Sequence, residues 1–437
     1  MASSEATNEA PVISMNDGSG SRSPSEGKPA LDTNNSAPRS PSGQLAVDGP
    51  GSRSPSTGKP SLDATSNGSR SPSGGKPAIG SSGSRSPLAE KPTIDKGGSI
   101  SPSGTKTAVD PYGFERPENF DYDTYEDFMA SYMTVLARRA GKWDQIVREN
   151  ETVSRSGKLK RYVRKGIPSE HRPMMWMFAS GAEQRMKENP GLYQSLLKAE
   201  HDPHMVDCIE KDVPRTFPEN IYFQNTPSDP NGKRKPLHNV LLALAQKNPN
   251  VGYCQGLNFI CGILLLIVKE EEKAFWLMDV IVSDMVPEYY TSDMLGIKVD
   301  QEVLGELVKL KVPEVQAMFV REGVAWPLIS SKWFLCIYAD VLPIETVLRI
   351  WDSFFYEGTK ILFRVAVTMV KMNKKKLMEC KNFADIINVA KSLPQDASLI
   401  KCHDFMERIF KEPGSFPMST IIKFRRHHRD LFLKEAQ

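Results

Sequence analysis

The feature that most constrains the fold of this 437-residue chain is the spacing of its apolar residues after residue 110. Large apolar side chains recur every three or four positions, as at Tyr125, Phe128, Tyr132 and Leu136, which places them on one face of an α-helix. Alternating patterns typical of strands are scarce. The sequence therefore predicts an all-α fold, a compact bundle of many helices with no parallel sheet.

Proline and glycine set the expected bounds of these helices, because they stop or turn a helical run. The apolar stretch from Leu257 to Val268 is interrupted by Asn258 and Gly262 and is far shorter than the roughly 20 residues that span a bilayer, so we expect a buried helix there. Other helices are expected around residues 237–244, 274–285, 300–310, 331–341, 344–355 and 361–373, with breaks at Pro168, Pro249, Gly256, Pro287, Pro313, Pro327, Pro343 and Gly358.

The first hundred or so residues have a different composition, rich in Ser, Pro, Gly and Lys and almost without aromatics. They contain degenerate repeats such as SRSPSEGKPALD from Ser21 and SRSPSTGKPSLD from Ser52. Each copy has one or two small apolar residues, too few to offset the entropy of ordering the chain. We therefore predict a disordered region, and not a solenoid, over residues 1–109.

The repeats also contain Ser-Pro and Gly-Lys-Pro steps. The Ser-Pro steps resemble sites for a proline-directed kinase, whose phosphates would each add about −1.5 to −2 charge, but a passive spacer expanded by duplication explains them at least as well. The Gly-Lys-Pro triplets resemble the end of a Walker A motif, yet Pro stands where Ser or Thr would reach magnesium, and no strand precedes them. The serines concerned are Ser23, Ser40, Ser54, Ser71, Ser86 and Ser101.

Charge and cysteine content argue against several functional classes. The net charge of +3 gives no field strong enough to indicate nucleic acid as a partner. The six cysteines form no CxxC pair and no disulfide-like spacing, which favours reduced thiols and a cytoplasmic location. We find no pattern of a signal peptide and expect no transmembrane segment.

Motifs for metal-dependent or nucleophilic catalysis are missing from the sequence: it has no HExxH, no EF-hand loop and no GxSxG. The adjacent Cys402 and His403 are interpreted as helix-face residues, since a lone dipeptide is weak evidence for a catalytic pair. We therefore expect no metal site.

A segment that suits phosphate chemistry covers residues 209–216, IEKDVPRT. Pro214 fixes its own φ and pushes Val213 toward extended geometry, so Arg215 is expected on a rigid, non-helical connection. A permanently charged planar guanidinium held in this way suits a developing phosphoryl charge. On this segment alone, an ordinary surface arginine paired with Asp212 is the better explanation.

A second such segment is Gly252–Gly256, GYCQG, which lies between the helix stopped by Pro249 and the helix expected from Leu257. Its glycines allow a tight backbone approach. The amide of Gln255 offers a donor and an acceptor without charge, so it can orient a water and contact a phosphate oxygen at once. The alternative is a helix-capping loop whose glutamine satisfies backbone groups.

Taken jointly, these segments resemble the fingerprints of the TBC (Tre-2/Bub2/Cdc16) family of Rab GTPase-activating proteins. The family patterns RxxxW, IxxDxxR and YxQG stand complete and in order at residues 172–176, 209–215 and 253–256. The Gly-Ile-Pro at 166–168 and the Arg-Ile-Trp-Asp at 349–352 also match the family. The resemblance spans roughly residues 111–437.

The resemblance implies an all-helical domain that accelerates GTP hydrolysis by a partner Rab. Arg215 would be inserted against the nucleotide phosphates as an arginine finger, and Gln255 would take over water positioning from the GTPase's own glutamine. By analogy, Asp212 orients Arg215, while Tyr253 and Gly256 shape the loop that delivers Gln255.

The resemblance also implies supporting residues and a partner. Ile209 and Thr216 are expected to support the arginine segment, and Arg172 and Trp176 to brace the fold near the site without touching nucleotide. The GTP-bound Rab would supply both GTP and magnesium, so this chain needs no cofactor of its own. Any membrane association would be peripheral and through the Rab.

The expected domain organisation has four parts. Residues 1–109 form the disordered Ser/Pro/Gly/Lys-rich repeat region, and residues 110–165 an N-terminal helical extension. Residues 166–358 form the TBC core, and residues 359–437 are C-terminal helices that complete the domain.

Two other functions remain open. A scaffold or effector could hold a Rab without accelerating hydrolysis, although both finger residues are intact. A generic helical interaction protein explains the tryptophans as core residues but not a loop arginine and a loop glutamine with the family's flanking residues. The tryptophans that we expect in the core are Trp176, Trp276, Trp333 and Trp351.

The C-terminal run from Lys423 to Arg429, KFRRHHR, is basic enough to suggest contact with anionic lipid or an acidic partner surface. A solvated helix end is the interpretation that we favour.

Overall fold

The computed structural model describes residues 109–116, 118, 120–149, 154–224, 231–415 and 417–437. Within these ranges the backbone forms α-helices joined by turns, and extended segments pair only at two isolated bridges, Val109 with Glu115 and Phe114 with Asn220. The predicted all-α fold is confirmed over this part of the chain. The predicted disordered region and its Ser-Pro and Gly-Lys-Pro steps lie outside the described residues, which begin at Val109.

The helices are numbered in chain order. They are α1 Tyr122–Glu149, α2 Gly157–Lys165, α3 Arg172–Ser180, α4 Ala182–Glu188, α5 Leu192–Lys198, α6 Pro203–Asp212, α7 Arg234–Lys247, α8 Leu257–Val268, α9 Glu271–Val280, α10 Leu295–Lys311, α11 Pro313–Arg321, α12 Pro327–Leu335, α13 Ile344–Glu357, α14 Lys360–Met372, α15 Lys374–Met378, α16 Phe383–Ser392, α17 Cys402–Lys411 and α18 Met418–Glu435. A 3-10 turn follows α6 at Val213–Arg215, two more follow α16 at Leu393–Gln395 and Ala397–Leu399, and a π-helical turn follows α9 at Ile281–Met285.

Local sequence explains where the helices around residues 203–268 begin and end. α6 begins where the Asp202 carboxylate accepts from the backbone N–H of His204 at 2.9 Å, with Pro203 as the first helical residue. α7 ends before Pro249, as predicted. α8 begins after Gly256, whose φ of +114° an L side chain rarely adopts.

The core includes α8, which packs against α7 and α9. Every residue of α8 except Phe259 is buried, so the predicted buried helix from Leu257 to Val268 is confirmed with the same bounds. Burying one leucine or isoleucine side chain contributes roughly 1.5–3 kcal/mol, so this helix is a large part of the apolar stabilisation.

The four tryptophans predicted to lie in the core do so. Trp176, Trp276 and Trp351 are fully buried, and Trp333 is 2% exposed. The rings of Trp176 and Trp351 lie 5.9 Å apart, where α3 packs against α13.

The predicted helix over residues 331–341 is wrong in its second half. α12 ends at Leu335, because Ile337 and Tyr338 adopt positive φ values of 46° and 65°. Tertiary contacts hold this geometry: the Ile337 carbonyl accepts from the Trp351 indole N–H at 2.9 Å, and the Tyr338 hydroxyl donates to the Leu362 carbonyl at 2.8 Å. The other predicted helices are present with shifted bounds.

The C-terminal basic run lies on α18, which packs against α10. The Arg425 guanidinium donates to both carboxylate oxygens of Asp300 on α10, each at 2.6 Å, and Arg429 donates to Glu288. The interpretation as a solvated helix end is therefore wrong for Arg425, whereas Arg429, whose side chain is 44% exposed, fits it. In the part of the chain that is described, no helix is long and apolar enough to cross a membrane.

Candidate functional site

Arg215 is the last residue of the 3-10 turn that continues α6. Val213 is helical, with φ −54° and ψ −49°, so the expectations of an extended Val213 and a non-helical connection are wrong. Pro214 is the second residue of this turn and has no N–H to donate. The backbone becomes extended directly after Arg215, at Thr216, whose ψ is 112°.

The Arg215 side chain is 54% exposed, and its Nη2 contacts Oδ1 of Asp212. The Asp212 side chain is only 3% exposed, so the ion pair joins a buried carboxylate to an exposed cation. A guanidinium carries five N–H donors, and the pair with Asp212 leaves others for a further anion. Both the surface-arginine interpretation and the arginine-finger interpretation predict this pair.

The Asp212 carboxylate also contacts the segment that carries Gln255. Its second oxygen accepts a hydrogen bond from the Tyr253 hydroxyl at 2.5 Å. Burial, followed by this bond to a carboxylate, raises the pKa of Tyr253 well above its ordinary value, so the hydroxyl remains a proton donor. Asp212 thus binds Arg215 on one side and the Gln255 loop on the other.

Gln255 is exposed on the loop between α7 and α8. The path of this loop depends on two glycines with positive φ, Gly252 at +56° and Gly256 at +114°. A Cβ at Gly252 would lie 3.1 Å from the sulfur of Met205 on α6, so this glycine also permits close packing of the loop against α6.

Two buried side chains form a second connection between the loops. The Thr216 hydroxyl donates to the Asp212 carbonyl at 2.8 Å and accepts from Nδ2 of Asn258 at 2.9 Å. Oδ1 of Asn258 accepts from the Gly256 backbone N–H at 3.0 Å. Arg215 therefore lies between Asp212 and Thr216, and Gln255 lies between Tyr253 and Gly256. These flanking residues take part in the hydrogen bonds that join the two segments.

The structure places the other predicted site residues in the interior. Ile209 is fully buried on α6. Arg172 and Trp176 are buried on α3, and both donate to the same oxygen of Asp352 on α13, at 3.1 and 3.0 Å. The second Asp352 oxygen accepts from the backbone N–H of Ile167 at 2.9 Å. This carboxylate therefore joins α3, the segment before it and α13.

Asn258 and Asp352 are absent from the set predicted from sequence. Asn258 has a readable signal, because it is a lone polar residue in an otherwise apolar buried helix and must find hydrogen-bond partners there. Asp352 lies in a block that matches the resembled family, but nothing in the sequence points to its partners on α3.

The adjacent Cys402 and His403 contact different side chains. Cys402 is the buried first residue of α17, and its thiol lies 3.7 Å from the Tyr132 hydroxyl. His403 contacts Arg139 at 3.0 Å. Over the described ranges, no group of His, Cys, Asp or Glu side chains could hold a metal ion.

Known proteins resemble this chain in sequence, and solved structures resemble it in fold. The sequence model of the Rab-GTPase-TBC domain matches residues 169–378, which include both loops. Growth hormone-regulated TBC protein 1-A of Danio rerio is 50% identical over 314 residues, 72% of this chain and 88% of that relative. Growth hormone-regulated TBC protein 1 of Homo sapiens is 49% identical over 326 residues, 75% of this chain and 96% of that relative.

A solved structure with the same fold is the Chlamydomonas flagellar RabGAP TBC domain, with a TM-score of 0.60 and 31% identity; the match covers 70% of this chain and 100% of that one. The segments at 110–122, 252–260, 300–306 and 345–352 also predict similarity to growth hormone-regulated TBC protein 1, and the relatives confirm it. The chain therefore belongs to the Rab-GTPase-TBC domain family.

Proposed function

We propose that this chain is a GTPase-activating protein for Rab-family GTPases and that it acts by inserting Arg215 and Gln255 into the active site of a GTP-bound Rab. In doing so it regulates vesicle trafficking. The observation that supports this most is the hydrogen-bonded junction between the two loops, since Asp212, next to Arg215 in space, binds Tyr253, two residues before Gln255.

The role of Arg215 follows from the charge of the reaction. Transfer of the γ-phosphoryl group to water spreads negative charge over the phosphate oxygens, and a cation with planar N–H donors stabilises it. An arginine finger is worth about 10³ to 10⁵ in rate, or roughly 4–7 kcal/mol of barrier. The half-exposed Arg215 side chain can reach a docked partner while Asp212 holds the other side of its guanidinium.

The role of Gln255 follows from its neutral amide. The carbonyl oxygen accepts from the attacking water, and the NH₂ group donates to a phosphate oxygen. Such positioning accelerates a reaction more when the group is held in place before the partner arrives. The bonds of Tyr253 and Gly256 on either side of Gln255 provide this restraint.

The other residues have supporting roles in this proposal. Asp212 orients Arg215, and Thr216 and Ile209 fix the turn that carries it. Arg172 and Trp176 act through the fold, by their bonds to Asp352. GTP and magnesium are bound by the Rab, so the chain requires no cofactor, and it reaches membranes as a peripheral protein through the Rab.

The test follows phosphate release from a panel of GTP-loaded Rabs with the wild-type chain and with Arg215→Ala and Gln255→Ala. We expect acceleration of at least one Rab by the wild type, a loss of about 10³-fold or more with Arg215→Ala and a large loss with Gln255→Ala. Matched controls are Arg321→Ala, an arginine that is 66% exposed and paired with the neighbouring Glu322, and Gln395→Ala, an exposed glutamine in a 3-10 turn.

The two controls should retain wild-type activity. Equal rates with the wild type and both finger variants would contradict the proposal. Binding of GTP-loaded Rabs without any acceleration would support the alternative, a scaffold or effector that holds a Rab.

A further inference from the structure

Asn258 is a buried residue of α8 that neither of the two finger segments contains, yet it binds both of them. Its Nδ2 donates to the Thr216 hydroxyl, next to Arg215, and its Oδ1 accepts from the N–H of Gly256, next to Gln255. Both Asn258 and Thr216 are fully buried. From this geometry we infer that Asn258, acting through the Thr216 hydroxyl, is a positioning residue that fixes the two fingers relative to each other. The inference rests on the proposed function.

The chemistry of the amide explains why an asparagine is needed at this position. The Thr216 hydroxyl already donates to the Asp212 carbonyl, so its partner must be a donor, and the Gly256 N–H requires an acceptor. Asparagine supplies both from one short side chain, whereas leucine supplies neither and aspartate supplies only acceptors. Burying an amide in an apolar helix is unfavourable unless its atoms are bonded, and here both are.

A simple helix cap does not account for these contacts. Capping the start of α8 uses only Oδ1 of Asn258, through the Gly256 N–H. The bond from Nδ2 reaches a residue 42 positions away in the chain, on the segment that carries Arg215. If Asn258 were only a cap, its loss would lower the stability of the protein. If Asn258 links the segments of Arg215 and Gln255, its loss will also slow the chemical step.

Loss of the link should lower kcat more than it raises KM, because the fingers act in the transition state and not in docking. Displacement of a reacting group by about 1 Å can lower a rate about 100-fold. We expect Asn258→Leu and Thr216→Val to lower kcat roughly 10- to 100-fold, with KM changed less than about twofold. Thr216→Ser keeps the hydroxyl and should retain kcat within about threefold of the wild type.

Thr368 on α14 offers a matched control for Thr216. It is also fully buried, and its hydroxyl also donates to the carbonyl four residues earlier, at 2.7 Å compared with 2.8 Å for Thr216. Thr368→Val therefore removes the same kind of bond without touching either finger segment. It should leave kcat unchanged and lower the unfolding temperature less than Thr216→Val, which also leaves Nδ2 of Asn258 without its acceptor.

The experiment measures single-turnover hydrolysis of a GTP-loaded Rab over a range of concentrations of each full-length variant, together with its thermal unfolding. Two results would overturn the inference. In the first, kcat falls no further with Thr216→Val than with Thr368→Val. In the second, kcat falls equally with Thr216→Ser and Thr216→Val. If Asn258→Leu does not fold, the inference is tested with Thr216→Val and Thr216→Ser alone. A wild-type chain that accelerates no Rab overturns the proposed function and this inference with it, whereas an active wild type with unaffected Asn258→Leu and Thr216→Val overturns the inference alone.

Discussion

Asp212 shows how much a single buried carboxylate contributes to the candidate site. One of its oxygens contacts the Arg215 guanidinium, the other accepts from Tyr253, and its backbone carbonyl accepts from Thr216. Buried charges are tolerated in proteins when they are paired in this way. An exposed cation that is fixed to a buried anion keeps a defined direction, which an ordinary surface arginine lacks.

Replacement of this carboxylate by an amide should therefore reduce activity without removing the finger. Asp212→Asn keeps the shape of the side chain but removes the charge that orients Arg215, so we expect kcat to fall roughly tenfold, less than for Arg215→Ala. Asp207→Asn is the control, because Asp207 lies on the same helix and pairs with Lys211 but its side chain is 54% exposed. Equal kcat values for the two variants would contradict this role of Asp212.

At the scale of single elements, the loop between α7 and α8 depends on Gly256. Alanine there would have to adopt a φ of +114°, and its Cβ would lie 3.4 Å from the Leu335 carbonyl oxygen. We expect Gly256→Ala to lower the free energy of unfolding by about 1–3 kcal/mol and to reduce kcat.

Gly141 supplies the contrast for this prediction. It lies on α1, and a Cβ there would meet nothing within 4 Å. Gly141→Ala should stabilise the protein by about 0.5–1 kcal/mol, since alanine is the better helix former. Chemical denaturation measures both effects, and a Gly256→Ala variant as stable and active as the wild type would show that the loop tolerates another path.

The end of α13 carries a carboxylate with three cationic neighbours. Glu357, whose side chain is 2% exposed, contacts Lys160 and Arg164 of α2 and Lys360 of α14. Burial by itself raises the pKa of this carboxyl, but the bonds and charges of Arg164 and Lys160 outweigh it and lower the pKa from 4.5 to about 2. The folded state therefore holds the proton more weakly than the unfolded state does.

The stability that this lowered pKa contributes is fully present above about pH 4.5 and is lost as the pH falls through about 2. We expect the free energy of unfolding of the wild type to fall more steeply across this pH range than that of Glu357→Gln. Denaturant titrations at a series of pH values test this. Parallel pH profiles for the two proteins would contradict it.

Several elements could be predicted from the sequence, and the exceptions share a physical cause. The bounds of α8 and the glycine-containing loop before it follow from local periodicity and turn residues. The left-handed Ile337 does not, because its carbonyl binds the distant Trp351 indole, and the helical Val213 before a proline does not, because α6 continues directly into the 3-10 turn. The hydrogen bond from Asn258 to Thr216 likewise joins residues 42 positions apart, and a local sequence pattern cannot predict such a contact.

At the scale of the whole molecule, the C-terminal helix forms an ion pair with a buried carboxylate of the bundle, in addition to the more exposed pair of Arg429 with Glu288. Arg425 of α18 binds both oxygens of Asp300, which is 2% exposed and also accepts from the Tyr289 hydroxyl. Removal of the cation leaves this buried carboxylate without its charge partner. We expect Arg425→Ala to lower the free energy of unfolding by about 3 kcal/mol.

The neighbouring Arg426 is exposed and provides the control. Arg426→Ala should change the free energy of unfolding by less than about 0.5 kcal/mol. If the two variants were equally stable, α18 would not depend on the Asp300 pair. The sequence alone suggests membrane or partner contact for this basic run, and only the fold reveals that Arg425 points to another helix.

The ordered set of motifs predicts the family from the sequence, and the relatives and the fold confirm it. The sequence does not predict how the motifs are arranged in space. Residues 172–176 belong to a buried contact with α13, whereas residues 209–215 and 253–256 are joined through the buried Asp212 and carry the exposed Arg215 and Gln255. Motif spacing along the chain does not distinguish a core contact from a surface site.

The central claim, that this chain supplies both finger residues, is tested most directly on a Rab whose own catalytic glutamine has been replaced by leucine. If Gln255 positions the attacking water, the wild-type chain will accelerate GTP hydrolysis by this altered Rab nearly as well as by the unaltered one, and Gln255→Ala will not. Acceleration of the unaltered Rab only, with no effect of the wild-type chain on the glutamine-deficient Rab, would contradict the account.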